Sequence, residues 1–254
     1  MLLVIDVGNT DAVFGFFEGE NLLHQVRILS KTNESDVFFE YGLKMSMLEK
    51  GLSTAAVSRI LISSVVPSLT GVIKTMVGHV FGIEPILMHP FIYEGISYNI
   101  DDPSEIGSDL VANAVYAFHQ YKRNCVIVDF GTALTFTTVT AAGKVLGVAI
   151  VPGLKTAIKA LFSNTAQLPE VPLDFPKTAI GTNTVSAIQA GIIFGYEGLV
   201  KNMLVRIKQE LGGDCIAIAT GGLSSIIPTL KNEFEEVNIN LTLQGLRIIA
   251  EGYV

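Results

Sequence analysis

The chain has 254 residues, 49% of them apolar and only 16% charged, with a mean hydropathy of +0.49. Such a composition can fill one large core or two smaller ones and excludes disorder as the main state. The 17 basic and 24 acidic residues leave a net charge of −7, which argues against nucleic acid as a general partner, because that needs a basic face to displace counterions. Two cysteines, Cys125 and Cys215, are too few for a disulfide framework, and their apolar surroundings read as buried positions.

In chain order, residues 2–7 read as a buried strand ending in a glycine turn, followed by strands over 12–17 and 22–29. Residues 35–50 have helical apolar spacing at Val37, Phe38, Tyr41, Met45 and Leu48. Residues 60–66 form another apolar strand, and Pro67 suits the first turn of a helix. Asp102-Pro103-Ser104-Glu105 fits an N-cap, so a helix is expected from there to about Tyr121. Strands follow at 125–129, 134–139 and 145–151, then one long helix or two over 184–210. A strand at 214–219 should turn through Gly221-Gly222 into a further helix, and 241–252 form a terminal helix. The start, Met1-Leu2-Leu3-Val4-Ile5-Asp6, has no basic segment or cleavage site. The uncharged stretch 178–196 is too polar to span a membrane. A cytoplasmic protein with no membrane partner is the expectation.

The chain repeats itself. Val4-Ile5-Asp6-Val7-Gly8-Asn9-Thr10 matches Ile127-Val128-Asp129-Phe130-Gly131-Thr132-Ala133, and Asp129 follows Asp6 by 123 residues, close to half the length. Each copy precedes two strands joined by a glycine turn. This pattern predicts duplication of one α/β unit, with halves over 1–117 and 118–254. An acid at a strand tip sits on a rigid element, and the glycine lets backbone N–H groups approach a phosphate. Asn9, Thr10, Thr132 and Thr135 add donors. Two such turns facing one cleft would cradle a polyphosphate, with Asp6 placed for a magnesium ion. Ordinary strand exits are the plainer reading of each turn taken singly. A third glycine turn, Ala219-Thr220-Gly221-Gly222, is a candidate nucleotide contact at a helix start. In Gly107-Ser108-Asp109, Asp109 reads either as a helix N-terminal acid or as a general base for phosphoryl transfer. Absent are the Gly-x-x-x-x-Gly-Lys-Ser/Thr loop, Gly-x-Gly-x-x-Gly, His-Glu-x-x-His, Cys-x-x-Cys and Gly-x-Ser-x-Gly. Asp129-Phe130-Gly131 spells a protein-kinase motif without its catalytic loop.

Jointly these blocks resemble the type III pantothenate kinases of the acetate kinase and actin superfamily. The matching segments are Asp6–Thr10, Ser63-Ser64-Val65-Val66-Pro67, Gly107-Ser108-Asp109, Asp129–Ala133, Ile150–Leu154, Asn183-Thr184-Val185, Gly191–Tyr196 and Ala219–Gly222. The resemblance implies an α/β fold of two ribonuclease-H-like, actin-like ATPase halves. It implies ATP-dependent phosphorylation of pantothenate, the first step of coenzyme A synthesis, by a homodimer. Asp6, Val7, Gly8, Asn9, Thr10, Asp11, Ala12, Val13 and Thr132 would contact ATP with Mg2+. Asp109 matches the proton acceptor, and Asp129 matches the ligand of a monovalent cation, K+ or NH4+. Tyr98, Gly107, Ser108, Asp109, Leu110 and Thr184 match substrate positions, Thr184 reaching the neighbouring subunit's site. Three positions depart from the family pattern: Leu110 replaces an Arg, Asp11 an Asn, and Val148 a Gly. Losing the Arg removes a charge-assisted bond worth roughly 1.5–3 kcal/mol to the pantothenate carboxylate. Lys155 is a candidate substitute cation. The departures also admit two rivals: a degenerate homologue that binds nucleotide or a partner, and a superfamily kinase for another small substrate.

Overall fold

The first apolar run forms β1 (Leu2–Val7), with Leu3, Val4, Ile5 and Val7 all buried. Antiparallel hairpins join it to β2 (Asp11–Glu18) and β3 (Asn21–Leu29), the second through Gly19 at φ 55°. α1 (Asp36–Glu49) leads to β4 (Arg59–Ser64), which lies parallel to β1. A parallel neighbour needs such a crossover. Pro67 opens α2 (Pro67–Phe81), left-handed Gly82 ends it, and β5 (Ile86–Leu87) completes the order β3-β2-β1-β4-β5. β6 (Ser97–Tyr98) and α3 (Ser108–Tyr121) follow.

The second half starts again with β7 (Cys125–Phe130), β8 (Ala133–Val139) and β9 (Lys144–Pro152) as two antiparallel hairpins. α4 (Leu154–Ser163) and α5 (Thr184–Glu210) lead to β10 (Ile216–Thr220), parallel to β7, and β11 (Glu236–Val237) pairs parallel with β10. The order β9-β8-β7-β10-β11 repeats that of the first half strand for strand. The duplication seen in the sequence is therefore a duplication of sheet topology. The chain closes with α6 (Leu241–Gly252).

The computed structural model describes residues 1–30, 35–165 and 167–252. By contacts it falls into two units: Met1–Tyr116 with the stretch from Leu241, and Ala117–Asn240. α6 thus groups with the first unit although it ends the chain. It packs on β1 and β4, and Gly245 lets it approach α3 so closely that a Cβ there would lie 2.0 Å from the Ala112 carbonyl. Thr242 also donates to buried Asn113 at 2.8 Å. In the first unit, Leu3, Ile5, Val7, Phe14 and Phe16 pack with α1 and α2 on one face of the sheet. In the second, Val126, Val128, Phe130 and Phe136 pack with α5. Cys125 and Cys215 are buried and free, and burial lifts the Cys125 thiol to about 12.

Four sequence expectations need correction. The buried face of α1 is Phe39, Leu43 and Met47, whereas Val37, Tyr41, Met45 and Leu48 are exposed. Phe39, Leu43 and Met47 recur one turn apart and join the core of the first unit, and Gly42 lies close to Ile28 of β3. The Asp102 cap serves only a 3-10 turn over Pro103–Glu105, and α3 begins at Ser108. No helix follows Gly221-Gly222. Leu223 N–H returns to the Phe130 carbonyl and Ser224 N–H to Gly221, and only a 3-10 stretch, Pro228–Glu233, forms later. Finally, α4 was not expected, although Leu154 and Ile158 have one-turn spacing and are buried. α5 is a single helix, capped by reciprocal Asn183 and Ser186 bonds.

Candidate active site

β1 delivers Asp6 to its C-terminal end, partly exposed, with Val7 buried beyond it. Gly8 donates its N–H to the Asp11 carbonyl at 3.0 Å, so Gly8, Asn9, Thr10 and Asp11 form the tip between paired Val7 and Ala12. Asn9 and Thr10 are exposed. Val7, Ala12 and Val13 bury their side chains, leaving only backbone for a ligand. Asp11 carries an ion pair to Arg27 of β3 at 2.8 Å. The acid that departs from the family pattern is thus matched by a cation on the adjacent strand, which the sequence reading missed.

The parallel pairing of β1 with β4 sets Asp6 beside Ser63. Ser63 is fully buried, donates to Asp6 Oδ1 at 3.3 Å and lies 2.8 Å from Ser108 Oγ at the start of α3. The next residue is Asp109. Burial pushes its carboxyl above the usual range, opposed by the Leu110 N–H at 2.9 Å and by its own backbone N–H. A Cβ on Gly107 would lie 2.4 Å from Asp109 Oδ1. Gly107 is therefore what lets the carboxylate fold back over the helix start. The late start of α3 puts Asp109 in its first turn, where the helix dipole favours an anion. Asp6, Ser108 and Asp109 are thereby brought into one neighbourhood of the first unit.

In the second unit, Asp129 of β7 sits between Thr135 of β8 and Thr220 of β10. Gly221, at φ 90°, approaches so closely that a Cβ would stand 2.5 Å from Asp129 Oδ1 and 2.7 Å from Phe130 backbone. Gly153 packs on Thr132: its N–H donates to the Thr132 carbonyl at 3.0 Å, and Thr156 Oγ1 reaches the same oxygen at 2.7 Å. Gly131 and Gly221 thus lie against this carboxylate, and Gly153 packs on the backbone of Gly131 and Thr132. The buried hydroxyls of Thr135 and Ser224 have no hydrogen-bond partner within the protein.

The other expected residues have surroundings of their own. Tyr98 donates its hydroxyl to the Pro90 carbonyl and packs edge-on against Phe91, and burial raises its phenol to about 12. Leu110 is 7% exposed and presents no polar group. Thr184 is exposed at the first turn of α5, in a groove of about 610 Å3 lined also by Leu161, Gly181, Asn183, Ile188 and Ile192. Lys155 is exposed in the first turn of α4.

Among the described residues, no group of three or more His, Cys, Asp or Glu is arranged for a metal ion. Mg2+ carried by phosphate and water needs only one or two protein carboxylates, and Asp6 at the end of β1 is a carboxylate that could hold it. Asp129 stands in register with Thr135, whose buried hydroxyl has no hydrogen-bond partner within the protein. Among the described residues, no helix is long and apolar enough to cross a membrane.

Two sheets that share one five-strand order, each with an acidic strand tip beside a glycine turn, define an actin-like fold of duplicated halves. A conserved protein assigned to the Baf family of transcriptional activators from Campylobacter jejuni shares it, at 18% identity and TM-score 0.60, over 98% of this chain and 97% of that one. So does a protein assigned as a 2-dehydro-3-deoxygalactonokinase from Sinorhizobium meliloti, at 11% identity and TM-score 0.58, over 99% and 96%. The family model for type III pantothenate kinase matches residues 2–206. The type III pantothenate kinase of Syntrophus aciditrophicus is 42% identical over 251 residues, 98% of each chain. The chain belongs to the type III pantothenate kinase family.

Proposed function

We propose that this chain transfers the γ-phosphoryl group of ATP to the primary hydroxyl of pantothenate, the first step of coenzyme A synthesis. Family membership supports the substrates. The observation that carries the chemistry is Asp109, a carboxylate with raised proton affinity held over Gly107 beside the Asp6–Ser63–Ser108 hydroxyl chain.

Asp6 to Val13 and Thr132 are the ATP contacts in this reading. Backbone N–H groups of the glycine turns and the Asn9 and Thr10 side chains take the phosphate oxygens. Asp6 would hold Mg2+, and Asp129 would hold K+ or NH4+; both ions supply positive charge against the phosphates. Tyr98, Gly107 to Leu110 and Thr184 are the pantothenate contacts. Asp109 accepts the proton of the primary hydroxyl as its oxygen attacks the γ-phosphorus in line. The new O–P bond forms, the bond to the bridging oxygen breaks, and ADP leaves with that electron pair. Burial suits Asp109 to this task, since a base of higher pKa takes a hydroxyl proton more readily. Leu110 offers the pantothenate carboxylate no charge, so a high KM for pantothenate is expected.

The chain functions, in this reading, as a cytoplasmic homodimer in which Thr184 serves the partner's site. Support comes from the groove at the start of α5, where Ile180 is 80% and Val185 40% exposed. Sedimentation should give twice the mass of one chain. The deciding test is ADP release with pantothenate and Mg2+, with and without K+. Pantothenate-dependent release that K+ stimulates is expected. Silence on pantothenate beside turnover of a sugar or acetate would overturn the assignment.

A further inference from the structure

Ser63 belongs to a matched segment to which no role has been attached. It follows Ile60, Leu61 and Ile62 in β4 and is, like them, fully buried. A hydroxyl in such a place costs free energy unless it is bonded. Its neighbour Ser64 is occupied elsewhere, at 2.8 Å from Thr70 Oγ1 in the opening of α2. Ser63 instead faces Asp6 Oδ1 at 3.3 Å and Ser108 Oγ at 2.8 Å.

One hydroxyl carries one proton. Ser63 gives its proton to the Asp6 carboxylate, which can only accept. The 2.8 Å contact must then run from Ser108 to Ser63. Ser108 has spent its own proton, so toward any ligand its oxygen can only accept.

We propose that Ser63 is a positioning residue for the phosphoryl transfer, tying the nucleotide-side carboxylate of Asp6 to Ser108 and making Ser108 an acceptor for a polar hydrogen of the substrate. This rests on the kinase assignment above and deepens it. The secondary hydroxyl and the amide N–H of pantothenate are hydrogens of the required kind. One buried side chain then serves both substrates, which a serine kept only for packing would not do.

Ser63→Ala should raise the KM for pantothenate about tenfold, the loss expected for a hydrogen bond to a polar partner. It should also weaken Mg2+·ATP binding by about threefold or more in calorimetry, a readout that needs no turnover. Ser108→Ala should cost a similar factor in pantothenate KM, and the double variant should cost no more than either single one. Ser63→Cys, nearly isosteric with a weak donor, should fall between Ser63→Ala and the parent. The proposal is overturned if Ser63→Ala melts differently but keeps both affinities, or if the two alanine effects multiply. A parent enzyme silent on pantothenate would sink the substrate assignment instead. In that case unchanged Mg2+·ATP affinity in Ser63→Ala overturns the Ser63 link by itself.

Discussion

At the first acidic turn, four residues, 8–11, separate Val7 from its partner Ala12. At the second, three residues, 131–133, separate Phe130 from Leu134. Both use the glycine N–H to close the loop, Gly8 to Asp11 at 3.0 Å and Gly131 to Ala133 at 3.1 Å. The residue added to the first loop is matched by Arg27 on β3, which pairs with Asp11. The carboxylates also differ in what closes around them. Asp6 meets the Ser63 hydroxyl, and through it Ser108. Asp129 meets the backbone turn of Gly221. Side-chain hydroxyls can be re-paired by a ligand, whereas packed backbone cannot. A duplicated pattern thus fixes where an acid stands, and segments distant in sequence decide what it can do. On this view the first turn serves the chemistry and the second holds charge in a rigid cage.

The largest expected effect tests the chemical side. Asp109→Asn should lower kcat about 10²–10⁴-fold, the usual contribution of a positioned base. Its stability should move the other way. Burial raises the Asp109 pKa in the folded state, so the native protein binds this proton more tightly than the unfolded chain. Stability then falls as pH rises from the ordinary carboxylate range through the raised value, and the penalty is complete above it. Asparagine has no such penalty. Asp109→Asn should therefore melt above the parent at neutral pH, with the gap closing on acidification below the ordinary Asp range. In the parent, kcat should rise with pH along a limb displaced above that range. Wild-type turnover in Asp109→Asn, or a lower melting point at neutral pH, removes Asp109 from its role.

Next in size is a contrast between the two cages. Gly221→Ala puts a Cβ 2.5 Å from Asp129 Oδ1 and 2.7 Å from Phe130 backbone, at a positive φ of 90°. A cost of about 3 kcal/mol or more is expected in urea unfolding. Gly8→Ala meets only the Asp11 carbonyl at 3.3 Å, and should cost about 1 kcal/mol. Its larger effect should be on the KM for ATP, because the tip it closes is the one that receives the phosphates in the proposed function. Equal destabilisation by the two substitutions would erase the distinction between a chemical turn and a holding turn.

The longer strands were legible because apolar runs bounded by glycine turns leave few alternatives, whereas the two-residue strands β5, β6 and β11 carry no such run; the repeat of Asp-x-Gly foretold duplication of one α/β unit. Of the features that were not legible, three have a non-local reason. α1 has two apolar stripes, and the choice of Phe39, Leu43 and Met47 depends on how the helix packs in the core of the first unit. The Asp102 cap was read correctly as a cap, but Asp102 satisfies Ser104 within a 3-10 turn, so the helix waits until Ser108. That delay places Asp109 at the helix start. Ser63 and Arg27 gain their meaning only from register, one beside Asp6 across a parallel pair, the other diagonal to Asp11 across a hairpin. The clue available in sequence was a hydroxyl interrupting the Ile60-Leu61-Ile62 run.

The smallest effect concerns the residue that makes the first loop longer. The Arg27 side chain is 53% exposed and that of Asp11 18%, and pairs of this kind contribute little to stability. Their weight should instead fall on the nucleotide. Arg27→Ala leaves Asp11 uncompensated beside the tip proposed above to bind phosphate, so the KM for ATP should rise about two- to fivefold, less at high salt. If the arginine acts by neutralising Asp11, then Asp11→Asn in the Arg27→Ala background should restore the parent value. If both variants stay equally impaired, Arg27 reaches the phosphates itself. The first turn then owes its difference from the second to an added cation, not to a neutralised acid.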